Sequence, residues 1–241
     1  MPASSFITAL TLASPAWPPL THPENPLALA QCLFSVEDYH DDEFIRYAIP
    51  QPPRLQRAVA KRRSEFLAGR VCAHQAMQQL GVDGIAENSA ERRDPIWPSL
   101  CTGAITHSHG VAAALVGLKQ HWQGIGLDIE HWIKTEDARH LASAILQPHE
   151  IALLDNDDAH FARQLTLLFS TKETLFKALN PLTGTSFYFH DASLLKLHTA
   201  SRTLMLRLDC TLNDQWTTGT ILTCHYAEQP SYITTWLTIP A

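Results

Sequence analysis

Two long stretches of helical periodicity, residues 54–80 and 161–180, each stand beside a cluster of strand-like runs, and this grouping bounds the fold more tightly than any other feature of the chain. In the first, Leu55, Val59, Phe66, Val71, Met77 and Leu80 recur at helical spacing, and Gly81 supplies a stop. The second is expected to close at Asn180-Pro181, after a further helical stretch at 137–156. Runs at 104–107 and 111–118, around a turn at His109-Gly110, and at 124–130 read as strands. The tail alternates at 204–208, 218–225 and 232–237 and reads as an antiparallel meander. Before residue 53 the chain is rich in proline, with one expected edge strand at 32–36. Strands that cluster, instead of alternating strictly with helices, indicate an α+β fold. The seam is expected between Gly117 and Gln123, giving halves 1–119 and 120–241 with no residue-level repeat between them.

At 241 residues the chain can bury a sizeable core without metal or disulfide staples. Its net charge of -6 argues against a non-specific nucleic-acid binder, although it leaves room for a local basic pocket. Five cysteines without a CxxC pair suit a reducing compartment. The first twenty residues carry no Lys or Arg to begin a signal peptide, and Pro15, Pro18 and Pro19 break their apolar stretch. No apolar run is long enough to span a bilayer. These features together predict a cytoplasmic protein.

Four constellations carry possible chemistry, and each has two readings. In Gly126-Leu127-Asp128-Ile129-Glu130, strand alternation puts Asp128 and Glu130 on one side and Leu127 and Ile129 on the other. Such a carboxylate pair is either a solvated strand end or a pair of hard oxygen ligands of the kind Mg²⁺ takes. Glu173 and Lys177 lie one helical turn apart, as a surface ion pair or as a metal carboxylate and a phosphate ligand. Lys61, Arg62, Arg63 and Arg70 run along the first helix, with Arg92 and Arg93 in the turn beyond it; they form a solvated face or a phosphate cluster. In Thr106-His107-Ser108-His109 no G-x-S-x-G elbow or HExxH pair is present, so His107 is a phosphate contact or a satisfied core histidine.

The order of these pieces is more specific than any one of them. Lys61-Arg62-x-x-Glu65-x-x-Ala68-Gly69-Arg70, Arg93-x-Pro95-x-Trp97-Pro98, Gly103-x-Ile105-Thr106-His107, Gly126-x-Asp128-x-Glu130 and Phe169-Ser170-x-Lys172-Glu173-x-x-Phe176-Lys177-Ala178 follow one another along the chain. This series resembles the 4′-phosphopantetheinyl transferases of the enterobactin-synthetase-component type (Sfp-like superfamily). The match runs from about residue 61 to 178, and the GxDxE and FSxKExxFKA pair is its most specific part.

The resemblance implies two similar α+β halves forming a pseudo-dimer within one monomeric chain, with the active site in the cleft between them. It implies transfer of the phosphopantetheine arm of coenzyme A, the co-substrate, to a serine of an apo acyl or peptidyl carrier protein, with release of 3′,5′-ADP. Nucleic acid and membrane are not among the implied partners. By carry-over, Asp128, Glu130 and Glu173 hold Mg²⁺ (or Mn²⁺), Glu173 helps deprotonate the serine, Lys177 neutralises the phosphate under attack, and Lys172 supports the site. Lys61, Arg62, Arg70, Arg93, Thr106 and His107 receive the nucleotide, and Glu150 matches an acidic family position. Ala104 and Thr106 stand where the family commonly has serines, and Thr102 where it often has an aromatic residue. Two rival readings are a nuclease using the same carboxylates and a carrier-binding module without turnover.

Overall fold

The computed structural model describes residues 6–12, 26–88 and 94–241. The chain divides into two compact units, Met1–Ile125 with Pro240–Ala241, and Gly126–Ile239, so the two boundaries fall inside the strands Trp122–His131 and Tyr232–Pro240. Each unit is α+β.

In the first unit, β1 (Ile7–Leu12) and β2 (Leu27–Phe34) lead into the short helix α1 (Glu43–Arg46) and the long helix α2 (Ala60–Gln79). A two-stranded ribbon, β3 (Glu87–Asn88) and β4 (Pro95–Ile96), precedes the hairpin of β5 (Cys101–Ser108) and β6 (Val111–Leu118). The sheet order is β1-β2-β6-β5, antiparallel throughout. The edge strand expected at 32–36 is therefore an interior one, flanked by β1 and β6. The hairpin turns where expected: His109 and Gly110 both have positive φ, 40° and 83°, which matches the right-handed twist of the strands they join. Helix α2 begins later than the periodicity predicts. Residues Pro53–Leu55 form a separate 3-10 turn that buries Leu55, while Val59 is 71% exposed and lies off the core face. The core joins Leu67, Val71, Cys72 and Met77 of α2 to Ala30, Cys32, Ala112 and Ala114 of the sheet.

In the second unit, β7 (Trp122–His131) precedes three helices, α3 (Thr135–Ile145), α4 (Pro148–Ile151) and α5 (Asp158–Thr183). Strands β8 (Ala192–His198), β9 (Thr203–Leu208), β10 (Ile221–Glu228) and β11 (Tyr232–Pro240) form the antiparallel meander, and the order is β7-β11-β10-β9-β8. The helix expected at 137–156 is split, because Pro148 forces Gln147 into an extended conformation (ψ 156°). Gln147 and Glu150 then form a capping box for α4. Helix α5 runs past Asn180-Pro181, whose ring sits in the final turn, and ends at Gly184 in the left-handed region (φ 64°). Its core face, with Phe161, Leu165, Leu168, Leu175 and Leu179, packs among Leu204, Leu206, Tyr226 and Ile233 of the meander. Among the described residues, no helix is long and apolar enough to cross a membrane.

Candidate active site

The chemistry of the second unit is organised by the closeness of β7 and α5. A Cβ placed on Gly126 would lie 2.0 Å from the carbonyl oxygen of Thr174, so the strand meets the helix backbone to backbone. Thr174 lies midway between Ser170 and Lys177, which stand two helical turns apart on the same side of α5. Both reach the carboxylate two residues along the strand. Lys177 Nζ donates to Asp128 Oδ1 at 2.6 Å, and Ser170 Oγ donates to Asp128 Oδ2 at 2.8 Å. Gly126→Ala is expected to force strand and helix apart and to lower stability by about 3 kcal/mol. A wild-type urea midpoint for that variant would show that the contact has no such role.

Asp128 is 3% exposed although it carries a charge, and the groups around it are organised in depth. Ser170 Oγ lies 2.9 Å from Thr235 Oγ1, which lies 2.6 Å from Thr174 Oγ1, and Thr235 Oγ1 donates to the Ser170 carbonyl. Three buried hydroxyls on α5 and β11 thus back one oxygen of Asp128. Glu173 is half-buried beside them. Burial pushes its carboxyl above the ordinary range, Lys177 opposes that, and the charge of Asp128 adds to it. Glu130 is also half-buried, two residues beyond Asp128.

Lys172 serves a different purpose. Its side chain is 2% exposed, and its ammonium donates to Glu150 Oε2 at 2.7 Å and to the carbonyls of Ile145 (3.1 Å) and Phe189 (2.9 Å). All three of its hydrogens are used inside the unit. Burial holds its pKa below the ordinary lysine value, with Glu150 opposing. Glu150 is fully buried and also accepts from the backbone N–H groups of Gln147 and Leu194. Lys172 therefore sets the seat of α5 next to Glu173 and does not reach for a phosphate. Beside Glu173 opens a pocket of about 280 Å³, walled by Leu175, Phe176, Phe187, Tyr188 and Phe189.

Among the described residues, no three His, Cys, Asp or Glu side chains are assembled to hold a metal ion. Asp128, Glu130 and Glu173 are thus no ready-made cage, and one oxygen of Asp128 carries an ammonium instead. Their chemistry still fits a hard divalent ion. The donors are all carboxylate oxygens, Mg²⁺ ordinarily takes only one or two of these with water and substrate phosphate, and Lys177 marks a place where positive charge is accepted.

In the first unit, α2 carries the basic run past β5. Arg62 Nη1 lies 3.1 Å from His107 Nε2. An arginine nitrogen only donates, so Nε2 accepts and the ring proton sits on Nδ1, which faces Glu65 Oε2 at 3.8 Å. Lys61 and Arg62 each approach Glu65 at 4.0 Å. Thr106 neighbours His107 in β5, so strand alternation turns its buried side chain to the other face of the sheet. Arg63 is turned away, onto Asp41 at 3.1 Å. Arg70 is 6% exposed, lies 4.8 Å over the ring of Phe66 and donates to the Glu87 carbonyl. Burial, with the charges of Arg54 and Arg62 nearby, lowers its pKa to about 10. Arg54 and Arg70 line a pocket of about 550 Å³ with Ile49, Phe66 and Ile85, a basic and apolar setting. Arg93 lies outside the described residues.

Both units match known proteins. Residues 51–117 match the 4′-phosphopantetheinyl transferase N-terminal domain, and residues 124–235 match the 4′-phosphopantetheinyl transferase superfamily. The chain is 31% identical over 167 residues to 4′-phosphopantetheinyl transferase PptT of Mycobacterium tuberculosis, covering 69% of this chain and 73% of the relative. It is 37% identical over 139 residues to Enterobactin synthase component D of Escherichia coli (58% of this chain, 65% of the relative). It is 38% identical over 140 residues to 4′-phosphopantetheinyl transferase Npt of Nocardia iowensis (57% of this chain, 61% of the relative). The match to Enterobactin synthase component D of Salmonella typhi takes in 60% of that relative's length. Given both profile matches and the carboxylate, lysine and arginine constellations they enclose, the chain belongs to the 4′-phosphopantetheinyl transferase superfamily.

Proposed function

We propose that the protein transfers the 4′-phosphopantetheine arm of coenzyme A to a serine of an apo acyl or peptidyl carrier protein. The observation that carries this reading is the meeting of Asp128 with Lys177, next to Glu173, within the region that matches the superfamily. The serine oxygen attacks the phosphorus bearing the pantetheine. A P–O bond forms, the pyrophosphate P–O bond breaks, and 3′,5′-ADP leaves with the electron pair. The carrier supplies the nucleophile, so the enzyme needs none of its own.

Phosphoryl transfer of this kind is carried mainly by positioning and charge neutralisation. Glu173 takes the serine proton, a task suited to a carboxylate made more basic by burial. Lys177 places its ammonium on the phosphate under attack, and Lys172, held by Glu150, fixes the turn of α5 that presents both. Asp128, Glu130 and Glu173 are the residues that would hold Mg²⁺, or Mn²⁺ in its place. That ion would supply a Lewis acid for the pyrophosphate oxygens. The aromatic pocket beside Glu173 suits the uncharged pantetheine arm, whose gem-dimethyl and methylene groups offer apolar surface between its hydroxyl and two amides. Lys61, Arg62, Arg70, Arg93, Thr106 and His107 are assigned to the nucleotide end. The crowding of Arg54, Arg62 and Arg70 supports an anionic ligand, because such a ligand relieves their mutual repulsion. Five free cysteines support action in the cytoplasm, and the chain acts as a monomer. Its carriers serve nonribosomal peptide and siderophore assembly, or fatty-acid and polyketide synthesis.

The direct test is mass spectrometry of a panel of apo carrier proteins incubated with the enzyme, coenzyme A and Mg²⁺. At least one should gain the mass of a single phosphopantetheine arm. A panel left unmodified, with every carrier modifiable by a control enzyme, would sink the reading. Arg62→Ala and His107→Ala are each expected to raise the KM for coenzyme A by about ten- to a hundredfold, the worth of one charge-assisted hydrogen bond. Their KM for the carrier should stay near wild type, and an effect confined to the carrier would remove these residues from the nucleotide site.

A further inference from the structure

Lys177 and Lys172 stand five positions apart on α5, and burial sets them apart. Lys172 is buried with three acceptors, whereas the Lys177 side chain is 26% exposed and its ammonium is set against Asp128. The Asp128 side chain, 4% exposed, is an anion that needs a positive partner wherever no metal is bound. Ser170 holds Oδ2, and Thr235 holds Ser170, so the carboxylate does not turn to present a different edge. The atom facing Lys177, Oδ1, is therefore the atom that an incoming cation meets.

We infer that Lys177 is the resident counter-ion of Asp128, and that its ammonium and a divalent metal ion exclude one another at Oδ1. This inference rests on the reading of Asp128 as a metal ligand and adds an order of events to it. Without metal, Lys177 keeps the buried carboxylate neutralised and the strand and helix in place. Binding of the ion expels Lys177 from Oδ1, since two cations on one oxygen repel, and its partial exposure lets the ammonium leave without crossing the core. The expelled ammonium is then available for the phosphate. Lys177 thus reaches substrate only in molecules that have taken up the metal, and a metal-free enzyme with coenzyme A present holds Lys177 back.

The test uses Mn²⁺ as a paramagnetic probe, with the free ion measured by electron paramagnetic resonance in the absence of coenzyme A. The full-length Lys177→Met protein should bind Mn²⁺ about tenfold more tightly than wild type, a gap typical of two linked binding events. Lys177→Arg keeps the competing charge and should bind as weakly as wild type. Adding Asp128→Asn to Lys177→Met should abolish the gain. Equal affinities for wild type and Lys177→Met would overturn the exclusion and leave the metal assignment standing. Tight binding that survives Asp128→Asn would overturn the assignment itself, and the inference with it. Should Lys177→Met fail to fold, wild-type protein labelled with ¹³C-lysine decides the matter. The Lys177 side-chain signal, identified by its loss in Lys177→Arg, should move as Mg²⁺ saturates, and a signal that stays in place would refute the inference.

Discussion

Glu173→Gln is expected to slow carrier modification by about a thousandfold, the usual range for a lost general base, while making the metal-free protein more stable at neutral pH. The two effects share one cause. Burial, and the charge of Asp128, raise the proton affinity of Glu173 in the folded chain, against the pull of Lys177. Between the unfolded and folded pKa values the native state binds the extra proton, so its stability falls as pH climbs through that window. Above the window the ionised carboxylate is a standing penalty, and glutamine is free of it. Thermal melts of variant and wild type should coincide in acid, below the ordinary carboxylate range, and separate in favour of the variant towards neutrality. A variant no more stable than wild type at pH 7 would show that Glu173 is well solvated, which removes the ground for its basicity. Saturating Mg²⁺ should narrow the gap, because only wild type offers the ion a third carboxylate.

Glu150→Ala should be among the most damaging single changes in the second unit, with an expected loss of about 3–5 kcal/mol. It strands the Lys172 ammonium in a place that is 2% exposed. Glu150→Gln offers little relief, because all the partners of that carboxylate are donors: Lys172 Nζ and the N–H groups of Gln147 and Leu194. One end of an amide would face a donor with its own hydrogens. The pair Glu150→Leu/Lys172→Met removes both charges together and should be far less destabilised than the sum of the single changes. Chemical denaturation of the four proteins completes the cycle, and strict additivity would show that the two side chains do not depend on one another. Any surviving Glu150→Gln protein should lose kcat more than affinity for coenzyme A, since what moves is the turn of α5 that carries Glu173 and Lys177.

Much of this architecture can be read from residue order. The α+β character follows from periodicity alone, and the hairpin at His109-Gly110 from its turn residues. Misjudged boundaries trace to local chemistry that competes with the periodicity. Leu55 looks helical because it is buried, but it is buried by a separate turn, and Pro148 divides a helix whose apolar spacing runs on through it. Within the site, Asp128 with Glu130 and Glu173 with Lys177 are visible as spacings. Ser170 lies inside a recognised motif, yet its partners are 42 and 65 positions away, so its bond to Asp128 and its tie to Thr235 have no local signature. The same holds for Lys172, which the motif counts among catalytic groups and the fold commits to Glu150, 22 positions before it. Thr106 shows the reverse. Its separation from His107 follows from strand alternation, which a motif written as a linear string conceals.

The bare contact at Gly126 also says how faults elsewhere in this unit should show themselves. Strand and helix touch there through main-chain atoms, and main-chain atoms have no alternative rotamers into which to relax. Core substitutions that leave this contact in place should then reduce how much folded enzyme a cell accumulates, and each molecule that does fold should work at full speed.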